Sequence, residues 1–305
     1  MNAAVDRIAA AYRAPADFAA AIAAAGLGHP EIVADGRLHR FRAAEDRHGT
    51  RNAWYVLHLD GKPSGAFGSW KTGESHTWTA TGERPDPAHL ADIRRMVEQA
   101  RRQRDAETRE RHAAAALRAA AQWESAGPAD PSHAYLVAKG IRPHGIRQQG
   151  IALVVPVLVG GTLASVQTVL PDGTKRFLSG GRIAGGYFLI DDATRRPEIL
   201  IAEGFATAAT LHEEIGAAVY VAFNAGNLAP VARTVRALHP KGDIVVCADN
   251  DAWTDGNPGV AKAKEAAIAI GARLLVPDFA GLDLSARPTD WNDWYRLRRL
   301  AGGAK

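Results

Sequence analysis

Glu198-Ile199-Leu200-Ile201-Ala202-Glu203-Gly204 is answered some forty residues later by Asp243-Ile244-Val245-Val246-Cys247-Ala248-Asp249-Asn250-Asp251. Each stretch is an apolar run of the length of one buried strand, and each ends in acid. Between and after them strands alternate with helices. Strands are predicted over 199–202, 218–223, 244–248 and 273–276, and helices over 205–215, 229–238 and 258–270. That order with short links implies a parallel sheet with right-handed crossovers. Open sheets of this kind take their ligands at the carboxyl ends of the strands. If strands 199–202 and 244–248 are neighbours, Glu203, Asp249 and Asp251 form one acidic cluster there.

Working outward, the segment before this sheet reads as a meander. A short helix from Pro131 stops at Lys139-Gly140, and strands over 151–157 and 163–169 flank the turn Gly160-Gly161. After Gly173, Lys175 and Arg176 are predicted to lie on a basic loop, to project into a shared groove and to contact phosphate. Tyr187 to Ile190 supplies another short strand. Pro87 to Ser125 forms one long helical pattern whose mixed charges read as a solvated face with local ion pairs. Gly127-Pro128-Ala129-Asp130-Pro131 ends it and marks a domain boundary.

The N-terminal region is alanine-rich to Leu27, with Ile8, Tyr12, Phe18 and Ile22 at helical spacing, and predicts short helices broken near Pro15. A β-rich passage follows, with strands at 53–59 and 66–70 about the turn Asp60-Gly61-Lys62, closed by Thr77-Trp78-Thr79. Trp54, Trp70 and Trp78 have two readings. They are the core of a small sheet, or, with Arg40, Arg42, Arg51 and Lys71, an aromatic and basic surface for unpaired bases.

At 305 residues, with 23% charged and 47% apolar side chains, the chain has an ordinary globular composition and room for two or three modules. Its net charge of +4 and pI near 9.3 are compatible with a polyanionic partner without singling one out. The single cysteine, Cys247, falls within a strand and reads as a small core residue. One cysteine excludes disulfides within the chain and any cysteine-based zinc ribbon, so no zinc is expected. The first residues lack the apolar core of a signal peptide, and no run is long enough to span a bilayer. A cytoplasmic protein without a membrane partner is expected.

Carboxylates at the ends of buried strands are costly unless a positive charge sits among them. No basic residue lies within several positions of either acidic site, which favours a hard divalent cation over an ion pair. Mg²⁺ takes carboxylate oxygens, keeps waters and sits well beside phosphates. Asp249 and Asp251 can bracket one ion or hold one each of two. Glu203 either completes the ligand set or acts as general base on an attacking hydroxyl.

Glu203-Gly204, the Asn224-Ala225-Gly226-Asn227 loop and Asp249-Asn250-Asp251 resemble the Toprim domain of topoisomerases and bacterial-type primases. Over about Pro131 to Asp293 the chain is similar to Toprim primases of conjugative plasmids and satellite phages. Glu203-Gly204-Phe205-Ala206-Thr207-Ala208, Lys175-Arg176-Phe177-Leu178, Asn257-Pro258-Gly259 and Thr289-Asp290-Trp291-Asn292-Asp293 carry that likeness. The first 80 residues match loosely, through Phe67 to Gly73. The resemblance implies an α/β Toprim fold, a Rossmann-like parallel sheet with flanking helices. A small mixed α+β module and an N-terminal β-rich module would precede it. The expected divisions are 1–86, a charged helical linker 87–127, a basic primase-core subdomain 128–196, a Toprim domain 197–293 and a basic tail 294–305. It implies a DNA primase making short RNA primers on single-stranded DNA from nucleoside triphosphates with Mg²⁺ or Mn²⁺. Glu203, Asp249 and Asp251 would be catalytic and metal-binding. Lys175, Arg176, Asn224, Gly226 and Asn227 would bind nucleotide or template, and Asp290 and Asp293 would be outer ligands. The sequence has no G-x-x-x-x-G-K-[ST], so any replicative helicase is expected to be a separate partner. The alternatives are a Toprim nuclease and a non-catalytic nucleic-acid-binding replication accessory protein.

Overall fold

The computed structural model describes residues 3–60, 62–81, 87–192 and 196–302, with side chains from residue 9 onward. The chain divides into two compact units, Met1–Glu107 and Thr108–Lys305. Gly61, the centre of the predicted hairpin turn, and the side chain of Ile8 lie outside the described residues.

In the first unit, helix α1 (Ala3–Ala24) precedes four antiparallel strands in the order β1 (His39–Phe41), β2 (Ala53–His58), β3 (Ser64–Ser69) and β4 (Ser75–Thr79). Alternate residues of β2 face opposite sides. Tyr55 and Leu57 pack with Phe18 and Ile22 of α1, while Trp54 and Val56 pack with Ile93. The expected break at Pro15 does not occur, since α1 runs through it. A mid-helix proline costs about 3 kcal/mol, and the buried Phe18 and Ile22 on the same helix together recover about as much.

The long helix α2 (Pro87–Ser125) is continuous as predicted, and the division between the units falls inside it. Arg101, Arg102, Arg109 and Arg111 are exposed, and Arg102 pairs with Glu98 at 2.9 Å.

The second unit holds two five-stranded sheets. The first runs in sequence order as an antiparallel series: β5 (Gly127–Pro128), β6 (Arg147–Gln149), β7 (Ala152–Val159), β8 (Thr162–Val169) and β9 (Lys175–Phe177), with the short helix α3 (Ala134–Lys139) after β5. The predicted basic loop is therefore a strand at Lys175–Phe177.

The second sheet is built from β10 (Phe188–Ile190), β11 (Ile199–Ala202), β12 (Ala218–Val221), β13 (Ile244–Cys247) and β14 (Arg273–Leu275), in the order β10-β12-β11-β13-β14. Only β10 runs antiparallel; the other pairings are parallel. Helices α4 (Phe205–Ile215), α5 (Leu228–Leu238) and α6 (Pro258–Ile270) form the crossovers, and α7 (Trp291–Gly302) follows. Strand side chains alternate between two cores. Leu200, Ala202, Val245 and Cys247 pack with Phe205 and Leu211 of α4. Ile199, Ile201, Ile244 and Val246 pack with Leu228 and Val235 of α5 and Ala263 of α6. The continuous apolar runs of the sequence are thus strands buried on both faces. No helix among the described residues is long and apolar enough to cross a membrane.

Candidate active site

β11 and β13 are neighbours, paired from Ile199–Ile244 to Ala202–Cys247, so their carboxyl ends finish abreast. From there the chain leaves β11 into α4 on one face and β13 into α6 on the other. This divergence opens a crevice at the strand ends, the topological switch point of an open sheet. Glu203 and Asp249 sit at that crevice. Tyr135, Lys139, Lys175, Gly204, Phe223 and Asp290 complete a cleft of about 210 Å³ with them.

The electrostatics of the cleft are unbalanced. Burial raises the Asp249 carboxyl well above the usual carboxylate range, and Asp290, Glu203 and Asp251 push it the same way. Its Oδ1 is buried without a hydrogen-bond partner. Glu203 is raised by burial and by Asp251, while the Ala225 backbone N–H and Lys175 draw it back down. Asp251 is half-buried, and its Oδ2 accepts a hydrogen bond from Gly259 N at 2.9 Å. These groups fit a hard cation, since the donors are all carboxylate oxygens and one of them is an orphaned buried atom.

One positive charge reaches them from outside the strand series. Lys175 is distant in sequence, yet β9 carries its ammonium to 3.7 Å from where a Cβ on Gly204 would lie. The sequence offers no basic residue within several positions of the acids; the fold brings Lys175, expected to contact nucleotide or template, beside them. Lys175 as a whole is exposed, but its ammonium is desolvated enough that burial is the main force lowering its pKa. Lys139 adds to the lowering, and Asp290, Asp249 and Glu203 oppose it. The ammonium is also 6.0 Å from the Tyr135 ring.

The other predicted residues separate into those brought to the cleft and those held elsewhere. Arg176 is exposed and pairs through its backbone with Thr168. As the next residue on a strand it faces away from Lys175, so the shared groove does not form. Asn227 is buried with its amide fully used: Nδ2 donates to Gly186 O at 2.9 Å and Ala222 O at 2.8 Å, and Oδ1 accepts from Gly185 N at 2.8 Å. Asn224 accepts from Asn227 N at 3.0 Å, and Gly226 is exposed at the tip of that turn. This loop reaches the acidic cluster through the Ala225 N–H. Asp290 lines the cleft and lies 3.7 Å from Lys139 Nζ, and its Oδ1 also accepts from Asp293 N at 2.8 Å. Asp293 accepts in turn from Thr289 N at 3.1 Å, so both carboxylates are held by backbone N–H groups at the start of α7.

Sequence reasoning gave no role to Tyr135 or Lys139. The Tyr135 hydroxyl is buried without a partner, and burial pushes its pKa up to about 12. Both sit on α3, far upstream in the chain, and no local spacing connects them to the acids. Of the three tryptophans, Trp54 is core and Trp78 packs edge-on to Phe18 at 5.3 Å, which removes both from a base-binding surface. Trp70 is half-buried between the guanidinium groups of Arg40 and Arg104, at 5.0 and 5.3 Å. Cys247 is fully buried, and burial pushes its thiol up to about 12.

Comparison with known proteins finds a matching domain family and similar proteins. The Toprim domain family model matches residues 198–299. Two curated Escherichia coli proteins named DNA primase TraC are similar. One is 35% identical over 263 residues, 83% of this chain, and the other 32% identical over 283 residues, 87% of this chain. The chain spans 25% and 19% of their lengths. Among solved structures, a chain from a complex of bacteriophage T7 lagging-strand DNA polymerase with primase domains is 16% identical, with a TM-score of 0.39. The match covers 55% of this chain and 85% of that one. The chain therefore carries a stretch, residues 198–299, that matches the Toprim domain, and over most of its own length it is similar to two proteins named DNA primase TraC.

Proposed function

We propose that this chain is the catalytic segment of a DNA primase, joining nucleotides into short RNA primers on a single-stranded DNA template. The observation that carries the reading is the meeting of Glu203 and Asp249 at adjacent parallel strand ends, with Asp249 Oδ1 buried and unpartnered and Lys175 alongside. The names of the TraC relatives support synthesis over cleavage.

Asp249 and Asp251 would hold Mg²⁺ or Mn²⁺, which supplies charge neutralisation at the reacting phosphate. The 3′-hydroxyl of one nucleotide attacks the α-phosphate of the next, a new P–O bond forms and pyrophosphate leaves. Glu203, oriented by the Ala225 N–H and raised above its usual range, takes the hydroxyl proton. Lys175 meets the negative charge that gathers on the triphosphate, and Lys139 holds Asp290 at the rim of the cleft. Partners in this reading are the template strand and nucleoside triphosphates, with a separate replicative helicase delivering the template.

The test is one incubation of the protein with single-stranded DNA, labelled nucleoside triphosphates and Mg²⁺ or Mn²⁺. Labelled oligomers that vanish in Glu203→Gln are expected. DNA cleavage without synthesis would replace this reading with the nuclease, and DNA binding with neither activity would replace it with an accessory protein.

A further inference from the structure

A second metal-binding arrangement lies away from the acidic cleft, within the same unit. His144 from the loop before β6, Asp192 just after β10 and His212 of α4 bring Nδ1, a carboxylate and Nε2 together within 4.8 Å of one another. Both imidazoles are almost wholly buried, at 1% side-chain exposure, while Asp192 is 55% exposed.

The hydrogen bonds set which ring nitrogens face Asp192. His212 Nδ1 lies 2.7 Å from Ala217 O, and a carbonyl only accepts, so Nδ1 carries a proton and Nε2 is the atom turned to the carboxylate. It lies 2.9 Å from Asp192 Oδ1. His144 Nε2 lies 2.7 Å from Glu213 Oε1 and serves as donor there, which leaves Nδ1 facing the same Asp192 carboxylate at 3.1 Å. As imidazolium groups both rings donate a proton toward this carboxylate; as neutral rings they turn two nitrogen lone pairs to it. A divalent cation can take the place of those two protons among the three groups.

The surroundings match a metal centre. Ligating histidines characteristically donate their other N–H to a carboxylate or a backbone carbonyl, and here Glu213 and Ala217 take those roles. Glu213 Oε1 is itself fixed by Arg142 N at 2.8 Å. His144 is one of the few non-glycine residues with positive φ, at 47°, a conformation that directs its ring inward. Ligand atoms about 2.0–2.2 Å from a tetrahedral zinc lie about 3.3 Å apart. The two His–Asp spacings, 3.1 and 2.9 Å, need open by only a few tenths of an ångström, and the two ring nitrogens lie within 4.8 Å of each other.

We propose that His144, Asp192 and His212 bind Zn²⁺, with the exposed side of Asp192 leaving the fourth position to water. The ion ties together the loop before β6, the end of β10 and the helix that follows Glu203-Gly204. Its role is to fix α4, whose N-terminal end borders the acidic cleft. Glu213 is a positioning residue for the His144 ring.

The test equilibrates the full chain with Zn²⁺ in excess Mg²⁺, removes free metal by gel filtration and measures zinc per chain. Wild type should retain one zinc, and Co²⁺ in its place should show the intense visible absorption of a four-coordinate site. His144→Ala and Asp192→Asn should each lose the ion, and Glu213→Gln should weaken its affinity about 10–100-fold. Asp192 is half-exposed, so Asp192→Asn is expected to keep the wild-type circular dichroism even if His144→Ala does not fold. His58→Ala tests the other His/Asp group, His58, Asp60 and His89, and should leave the zinc in place. Folded wild type that retains no zinc, or Asp192→Asn that retains it in full, overturns the proposal. Loss of the ion only in His58→Ala overturns it as well.

Discussion

Lys175 and Arg176 are adjacent in sequence and opposite in consequence, because β9 sends one ammonium to the acids and one guanidinium to solvent. Lys175→Ala should lower primer synthesis about a hundredfold, the scale of losing one preorganised charge in a water-poor site. Arg176→Ala should lower it by a few-fold at most, and comparing product yields of the two variants checks this. At this scale the acids were legible in the sequence, since an acidic residue ending a buried strand needs a reason. Lys175 was legible as a phosphate-contacting residue, but its place beside Glu203 and Asp249 was not, because it arises only once β9 is in place. Asn227 was singled out as nucleotide- or template-binding, and its buried amide makes three hydrogen bonds to backbone groups; amides in these two roles look alike in sequence. The pair His144 and His212 was missed because the loop before β6 and helix α4 must come together before the rings meet.

Among the elements, α6 bears most directly on the site. Its N-terminus closes on the Asp249–Asp251 loop so tightly that a Cβ on Gly259 would stand 2.5 Å from Asp249 O and 2.8 Å from Asp251 Oδ2. Asn257, in the left-handed region at φ 42°, turns the chain into α6 and donates to Asn250 Oδ1 at 2.8 Å. Gly259→Ala should therefore destabilise the protein by about 1–3 kcal/mol, as overpacking does, and raise the Mg²⁺ concentration needed for synthesis. Urea unfolding and a Mg²⁺ titration of activity read the two effects. The elements of this sheet were legible because apolar runs, glycine stops at 216 and 271 and the proline opening α6 all agree. α1 was less so. Pro15 gives a local signal to stop, and the packing of Phe18 against Tyr55, Phe67 and Trp78, which overrides it, is tertiary.

For the whole molecule, the net charge of +4 understates how the charge is placed. Acids gather at the sheet edge, while arginines crowd the exposed sides of α2 and α7. In the proposed function, DNA binding draws on these cations and releases counterions from the strand. Affinity for single-stranded DNA should fall steeply and log-linearly with salt, and a flat salt response in a fluorescence-anisotropy titration would contradict template binding by this chain. The sheet order was anticipated as far as the β11–β13 adjacency. The division of the chain within α2 was not, because a continuous helix carries no punctuation at Glu107.

The most direct measurement compares wild type with Asp249→Asn in primer synthesis and in thermal unfolding without added metal. Asp249 is a desolvated carboxylate repelled by Asp290, Glu203 and Asp251, so neutralising it relieves the apo fold and removes a metal ligand. The prediction is a variant that makes no primer and melts at or above the wild-type temperature. Wild-type product yield, or lost synthesis with a lower melting temperature, would contradict a carboxylate kept for phosphoryl transfer at the expense of stability.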